Sequence, residues 1–357
     1  MFSRLIKTAL ATALAIPVLA AGATAAETIK VQTVAGHPPV FRWVKHLSKT
    51  FIPTVNAELA KTGKYQIKWT ESYGGTLAKV GGELEAVEEG LAEIGLIPTV
   101  FEPAKMPLQN VAYYTPFGPS DPLQVVEVIE RLQKQIPAMM DTWAKNNLVY
   151  LGCGFGIDEY HIWTQFPVKS LADLKGHKIG APGPAVNWLK GTGAVGVSGN
   201  LTLYYNNLKT GVYEGVIVFG TAAMPGKLYE VAPYITKVSL ATPYAGGVAA
   251  NKDWFDQQPQ EVKDALKKGG EACKVAYHKD LNAAVATAFK IMADKGAKIS
   301  TLPPAERKKW ADVLPNKAKE WAQGLDKKGL PGTKVLSAYM EALRQAGVKP
   351  ERDWDKE

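Results

Sequence analysis

The first hundred residues alternate between segments that are typical of strands and segments that are typical of helices. The runs "TIKVQTV" (28–34) and "YQIKWT" (65–70) are rich in β-branched or aromatic residues, and a short apolar run follows at 94–97. Between the last two, Leu84, Val87 and Leu91 recur at the spacing of one helix face. Strands separated by helices tend to pair in parallel and to be covered on both faces. The order βαβαβ therefore predicts an α/β fold with a mainly parallel sheet.

The rest of the chain predicts a second domain that is built from crossing segments. Further strands are expected at 148–152, 160–164 and 213–219, and a helix is expected to begin at Asp121-Pro122. About 331 of the 357 residues follow the leader described below, which is more than one hydrophobic core usually serves. We predict domain I at 27–150 plus about 241–275, domain II at 151–240 plus about 276–357, and an interdomain helix at about 259–293.

Residues 1–26 have the three parts of a secretory signal peptide. Arg4 and Lys7 precede an apolar run from Leu10 to Leu19, and small residues lead to Ala26. The apolar run is too short to span a bilayer, which disfavours the alternative of an N-terminal membrane anchor. We predict cleavage near residues 25–27 and export of the remaining chain.

Charge and motifs exclude several classes of function. The net charge of +8 becomes +6 without Arg4 and Lys7, and the lysines are scattered, so we expect no nucleic-acid partner. A phosphate loop, a dinucleotide fingerprint, a nucleophile elbow and a zinc-protease motif are each absent or broken. The five histidines lack metal-ligand spacing. We predict no cofactor, no metal and no enzymatic activity, although a nucleophile assembled from distant segments stays possible.

The two cysteines, Cys153 and Cys273, allow two interpretations. An exported chain can oxidise such a pair to a disulfide. Cysteines 120 positions apart in a large domain are more often separate, buried, small hydrophobic residues. We favour the second interpretation.

Aromatic residues cluster where strands end and helices begin. Ligands of parallel α/β proteins bind beyond the carboxyl ends of the strands, and aromatic side chains are common in small-molecule sites. Core packing is the alternative for any single ring, but the whole set favours a pocket between two domains. The candidate ligand contacts are His37, Phe41, Tyr73, Thr99, Phe117, Tyr160, Gly180, Pro182, Trp188, Tyr205, Phe219 and Tyr244.

Several segments, taken in order, resemble one family of transport proteins. They are "SLADLKGHKIGAPGP" (170–184), the Thr210-Gly211 and Glu214-Gly215 turn after Tyr205, and "YEVAPYIT" (229–236). Together they are similar to the DctP-like solute-binding proteins of tripartite ATP-independent periplasmic (TRAP) transporters. The resemblance implies two α/β domains of the type II, Venus-flytrap kind, which close around an organic acid in the periplasm. It also implies delivery of that acid to a membrane permease with a small and a large subunit.

Gly180 departs from this family, because the matching position usually carries an arginine that clamps the ligand carboxylate. In one interpretation, Gly180 makes room for an aromatic or bulky apolar acid that stacks on rings such as Tyr160 and Phe219. In the other, Lys178 or Arg42 replaces the arginine and the ligand is an aliphatic C4-dicarboxylate. We favour the first, because the family's other polar contacts are also replaced by aromatic or apolar residues. The carboxylate then needs other donors, among them His37, Tyr73 and Thr99.

Two other classes of function stay open at this point. One is a binding protein for an ATP-driven importer or a signalling receptor, against which the family motifs argue. The other is a secreted enzyme that reuses the fold, which would convert a bound acid instead of returning it unchanged.

Overall fold

The computed structural model describes residues 25–357, so the predicted signal peptide lies outside the described residues except for Ala25 and Ala26. Within that range, no helix is both long and apolar enough to cross a membrane. The strands are β1 (Glu27–Ala35), β2 (Tyr65–Tyr73), β3 (Ile94–Ile97), β4 (Leu148–Gly156), β5 (Tyr160–Thr164), β6 (Lys178–Ala181), β7 (Val195–Ser198), β8 (Gly215–Phe219), β9 (Tyr234–Lys237), β10 (Tyr244–Asn251) and β11 (Lys298–Thr301).

The α-helices are α1 (Arg42–His46), α2 (Ile52–Ala60), α3 (Glu83–Glu88), α4 (Val111–Tyr114), α5 (Pro122–Gln135), α6 (Pro137–Lys145), α7 (Leu201–Lys209), α8 (Gly220–Ala223), α9 (Lys252–Asp256), α10 (Gln260–Asp294), α11 (Pro304–Val313), α12 (Lys317–Asp326) and α13 (Gly332–Gln345). A π-helical turn, Leu47–Phe51, joins α1 to α2. Short 3-10 helices occupy Thr99–Phe101, Leu108–Asn110, Leu171–Leu174, Gly183–Leu189 and Leu228–Glu230. The predicted helix start is confirmed: the Asp121 carboxylate accepts hydrogen bonds from the backbone N–H groups of Leu123 and Gln124.

The strands form two sheets, which confirms the two-domain α/β fold. The first sheet has the order β2-β1-β3-β10-β4, and the second has the order β11-β9-β5-β8-β6-β7. Each sheet is parallel except for one strand. That strand is β10 in the first sheet, where it runs antiparallel to β3 and β4. In the second sheet it is β5, which runs antiparallel to β8 and β9.

These two antiparallel strands mark two of the places where the chain crosses between the sheets. It leaves the first sheet after β4 and enters the second at β5, and it returns from β9 to β10. The two connections lie side by side and are hydrogen-bonded to each other. The Ile157 N–H donates to the Pro243 carbonyl at 3.0 Å, and the Tyr160 N–H donates to the Ala241 carbonyl at 2.8 Å. This double connection is the crossing of strands that the family resemblance implied.

The long helix α10 packs on β4 and α2 beside the first sheet, and on α8 beside the second. A glycine allows its close approach to β4, since a Cβ atom at Gly270 would collide with the Leu151 carbonyl. One turn later, Cys273 forms a disulfide with Cys153 of β4. Our preference for two unpaired thiols was therefore wrong: sequence separation says nothing about the distance between a strand and a helix packed directly on it.

The domain boundaries stay a prediction, but the sheets suggest a revision. Strand β4 belongs entirely to the first sheet, so a boundary after residue 150 would divide a strand. Helix α13 packs on α4 and α5, and the buried Trp354 ring donates a hydrogen bond to the Pro116 carbonyl. We propose that domain I extends to Gly156 and also includes the C-terminal helices α12 and α13.

The disulfide predicts a measurable contribution to stability. Replacing both Cys153→Ala and Cys273→Ala should lower the free energy of unfolding by about 2–5 kcal/mol, because the bond restricts the unfolded chain over a long loop. Urea denaturation of the double variant and of the reduced wild type should give similar midpoints. A count of two free thiols in the denatured, unreduced protein would contradict the bond.

Candidate ligand-binding cavity

A cavity lies between the two sheets at the carboxyl ends of their parallel strands, where ligands of this architecture bind. The cavity has a volume of about 30 Å³. It is therefore a narrow space between rings and not an open chamber. It is lined by His37, Trp43, Pro98, Val100, Phe101, Tyr113, Phe155, Ile157, Tyr160, Pro182, Leu201, Tyr204, Ile217, Val218, Phe219 and Ala245.

Aromatic contacts form a continuous wall that joins the two sheets. Trp43 of α1 lies parallel to Phe155 at the end of β4, with ring centroids 6.2 Å apart. The same ring meets Phe219 at the end of β8, at 5.8 Å, and Phe219 meets the edge of Tyr160 at 5.1 Å. Because Phe155 and Phe219 belong to different sheets, Trp43 bridges the two halves of the cavity. Such a wall offers ring faces and edges to a flat solute.

The polar groups of the cavity are few. The Tyr113 and Tyr160 hydroxyls lie 3.3 Å apart and share a hydrogen bond. The Tyr204 hydroxyl and His37 Nε2 are both buried without a hydrogen-bond partner. Buried polar atoms in native proteins are nearly always paired, so these two atoms of cavity-lining residues remain available to a ligand or to ordered water.

The cavity is electrically neutral. Among the residues that line it in the described chain there is no arginine, lysine, aspartate or glutamate. Burial lowers the pKa of His37 to about 4, so its imidazole is uncharged at neutral pH. Burial also raises the pKa of Tyr113, Tyr160 and Tyr204, which keeps their hydroxyls protonated.

A buried carboxyl group holds the loop that carries His37. The Glu83 side chain accepts hydrogen bonds from the backbone N–H groups of Gly36, at 2.9 Å, and Gly81, at 2.7 Å. A Cβ atom at position 36 would lie 2.5 Å from a Glu83 carboxylate oxygen, so this position requires glycine. Beyond it, the His37 ring contacts the edges of Phe41 and Trp43. The imidazole is thus held by the backbone behind it and by rings beside it.

The expectation that Gly180 makes room for a ligand is not supported. Gly180 lies in β6 and does not line the cavity. A Cβ atom there would lie 3.1–3.2 Å from the buried ring of Tyr213. The Tyr213 hydroxyl in turn accepts a hydrogen bond from Asn207, and the edge of its ring meets Tyr204. The space beside Gly180 therefore belongs to Tyr213, a residue of the same domain.

The two cations proposed as substitutes for the arginine do not reach the cavity either. Arg42 forms an ion pair with Asp280 of α10 at 2.6 Å. Lys178 is exposed at the start of β6. Neither residue lines the cavity, so the second interpretation of Gly180 has no support in the structure.

The structure brings together four of the twelve predicted contacts: His37, Tyr160, Pro182 and Phe219 line one cavity. Two more stand directly behind the wall. Phe41 stacks on Trp43 with ring centroids 5.0 Å apart, and Trp188 meets the edge of Tyr160 at 5.4 Å.

The other predicted contacts do not line the cavity. Tyr73 accepts a hydrogen bond from the Thr33 hydroxyl, and the Thr99 hydroxyl donates to the Ala245 carbonyl. Tyr205 donates to Glu230 at the surface. Phe117 lies under the Arg307 guanidinium, 5.0 Å from its ring centroid. Tyr244 is buried in β10 and does not line the cavity.

Several cavity-lining residues were not predicted from the sequence, and Tyr204 is the clearest case. Leu201, Tyr204 and Leu208 follow the spacing of one helix face, and both Tyr204 and Leu208 are buried. That spacing could have shown that Tyr204, and not Tyr205, points inward. Trp43, Tyr113 and Phe155 had only their position near the end of a strand or helix as a signal.

The fold and the cavity define a two-domain α/β binding protein for a small molecule. The sequence model of bacterial extracellular solute-binding protein family 7, DctP, matches residues 39–324. The chain therefore belongs to this family, whose members are the solute-binding proteins of TRAP transporters.

Solved structures with similar folds bind different acids. A marine metagenome TRAP protein specific for aromatic acid ligands, solved with 3-hydroxybenzoate, has a TM-score of 0.78 and 19% identity over 90% of this chain and 99% of its own. A Bordetella pertussis receptor binding pyroglutamic acid has a TM-score of 0.76 and 21% identity, covering 88% and 100%. A Sulfitobacter protein with β-D-galacturonate has a TM-score of 0.73 and 18% identity, covering 87% and 99%. At these identities the likeness shows the fold and not the ligand.

The contact between Gly180 and Tyr213 predicts the effect of a small substitution. Gly180→Ala should lower the free energy of unfolding by about 1–3 kcal/mol, because the added methyl group presses on a buried ring that cannot move freely. Chemical denaturation measures the change. Gly324→Ala is the matched control, since no atom lies near a Cβ there and alanine favours the helix. A Gly180→Ala variant as stable as the wild type would contradict the assignment of this space to Tyr213.

Proposed function

We propose that this protein is exported to the periplasm and that its cavity binds an aromatic or bulky apolar organic acid. The bound acid is then delivered, chemically unchanged, to a TRAP membrane permease with a small and a large subunit. Residues 1–26 act as the cleaved signal peptide. Family membership supports the transport role, and the wall of the cavity supports the ligand class.

The observation that carries the proposal is the aromatic wall without a charged side chain. Each favourable ring contact adds roughly 0.5–1.5 kcal/mol beyond the burial of apolar area. Trp43, Phe155, Tyr160 and Phe219 can supply several such contacts to one flat solute. A planar ring also needs the least separation of side chains to enter a space this narrow.

The same wall disfavours the alternative, an aliphatic C4-dicarboxylate. Such a ligand brings two charges into a cavity that, in the described chain, has no arginine or lysine in its lining. The effective penalty for burying an unpaired ion is several kcal/mol, and it applies to each carboxylate. A sugar acid is disfavoured as well, because its many hydroxyls exceed the polar partners of this cavity. Of the ligands bound by the similar structures, 3-hydroxybenzoate therefore matches this cavity better than β-D-galacturonate does.

A binding panel tests the ligand class. Benzoate, 3-hydroxybenzoate and phenylacetate should raise the melting temperature with the logarithm of their concentration, whereas succinate and malate should not. Trp43→Ala should weaken the binding of an aromatic acid at least about tenfold, as expected when a buried aromatic contact is removed. Isothermal titration calorimetry measures the affinity, and recovery of unchanged acid tests for turnover.

Trp69→Ala is the control for the loss of a tryptophan, since Trp69 packs on Phe51 and does not line the cavity. The Trp69→Ala variant should bind an aromatic acid with the same affinity as the wild type. Tight binding of succinate or malate without binding of any aromatic acid would contradict the proposed ligand class. Conversion of the bound acid would show that the protein is an enzyme.

A further inference from the structure

His37 is the one basic side chain among the cavity-lining residues of the described chain. It is 3% exposed, and its Nε2 atom has no hydrogen-bond partner. Its ring packs against the rings of Phe41, Trp43 and Phe101. A buried imidazole nitrogen without a partner, in the wall of a cavity, is available to a polar group of a ligand.

Burial alone lowers the pKa of His37 and keeps its imidazole uncharged. The neighbouring ionisable groups do not cause this shift. Glu83 accepts hydrogen bonds from the loop backbone behind the imidazole, and Glu102 follows the 3-10 helix of Phe101; burial raises the pKa of both carboxyl groups to about 7. Arg42, on the neighbouring helix, is paired with Asp280. Glu83, Glu102 and Arg42 do not line the cavity.

An organic anion bound in this uncharged, buried cavity needs a positively charged partner. A carboxylate held in apolar surroundings without a counter-ion is unfavourable by several kcal/mol. The protein avoids this penalty when one proton enters the site with the anion. An imidazole is the group most readily protonated near neutral pH, and a carboxylate in contact with it favours its charged form.

We propose that His37 binds the carboxylate of the ligand as an imidazolium and takes up one proton from the solvent each time the ligand binds. This inference rests on the proposed function, since it requires the ligand to be an organic acid. The proton returns to the solvent when the carboxylate leaves. A histidine thereby performs the role of the missing arginine, but it is charged only while the anion is present.

The sign of the pH dependence follows from proton linkage. In the free protein the imidazole has a pKa of about 4, and the bound carboxylate raises that pKa. At a pH between the pKa of the free protein and that of the complex, binding consumes one proton. The affinity for an ionised ligand therefore falls about tenfold for each unit of rise in pH. A permanently charged arginine would give no such slope in this range.

Calorimetry with benzoate and 3-hydroxybenzoate tests the inference. Titrations at pH 6.5 in phosphate and in imidazole buffer, which differ in ionisation enthalpy, should show uptake of about one proton per ligand. The dissociation constant should rise about tenfold between pH 5.5 and 6.5. His37→Gln should bind at least about tenfold more weakly at pH 5.5 and should take up no proton, because glutamine cannot be charged.

His177→Gln is the matched control, because His177 pairs with Glu214 and does not line the cavity. This variant should take up as many protons on ligand binding as the wild type. If His37→Gln does not fold, NMR of wild-type protein with ¹⁵N-labelled histidine replaces it. Benzoate should then convert one neutral imidazole to imidazolium at pH 6.5.

The outcomes separate this inference from the proposed function. Binding of an aromatic acid without proton uptake, or with uptake that persists in His37→Gln, overturns the role of His37 and leaves the ligand class intact. Failure of every aromatic acid to bind overturns the proposed function itself.

Discussion

The double connection between the sheets is the constraint on which the rest of the structure depends. Two adjacent segments, between β4 and β5 and between β9 and β10, are hydrogen-bonded to each other and hold the carboxyl ends of both sheets face to face. The cavity exists because these ends meet there. Helix α10 and the Cys153–Cys273 disulfide fix one side of this junction, since β4 leads directly into the first connection.

The absence of charge from the cavity lining of the described chain follows from how its neighbours pack. The family resemblance implies a clamping arginine at the position of Gly180, and the ring of Tyr213 fills the space beside this glycine. Arg42, one of the two alternatives considered from the sequence, is already paired with Asp280. The cavity is thus left with rings, hydroxyls and one imidazole, and these groups select for apolar area and a small number of polar contacts. In the proposed function, affinity and specificity depend on stacking and on pairing the few buried polar atoms.

Local patterns were sufficient for part of this account. The long helix was predicted at about 259–293 and is found at Gln260–Asp294, because its apolar spacing and its ends are encoded locally. Contacts between distant segments were not predictable in this way. The Cys153–Cys273 bond depends on how a helix lies on a strand, and the contact of Gly180 with Tyr213 joins residues of different elements. Strand ends located the cavity, but not which of their side chains face it.

The central claim is that aromatic stacking, without a guanidinium, holds the ligand between the two sheets. A crystal structure of the protein with 3-hydroxybenzoate tests it most directly. We expect the ligand ring to lie against Trp43 and Phe219, with the carboxylate within hydrogen-bond distance of His37. A ligand bound outside this cavity, or one whose carboxylate is clamped by an arginine or lysine side chain, would contradict it.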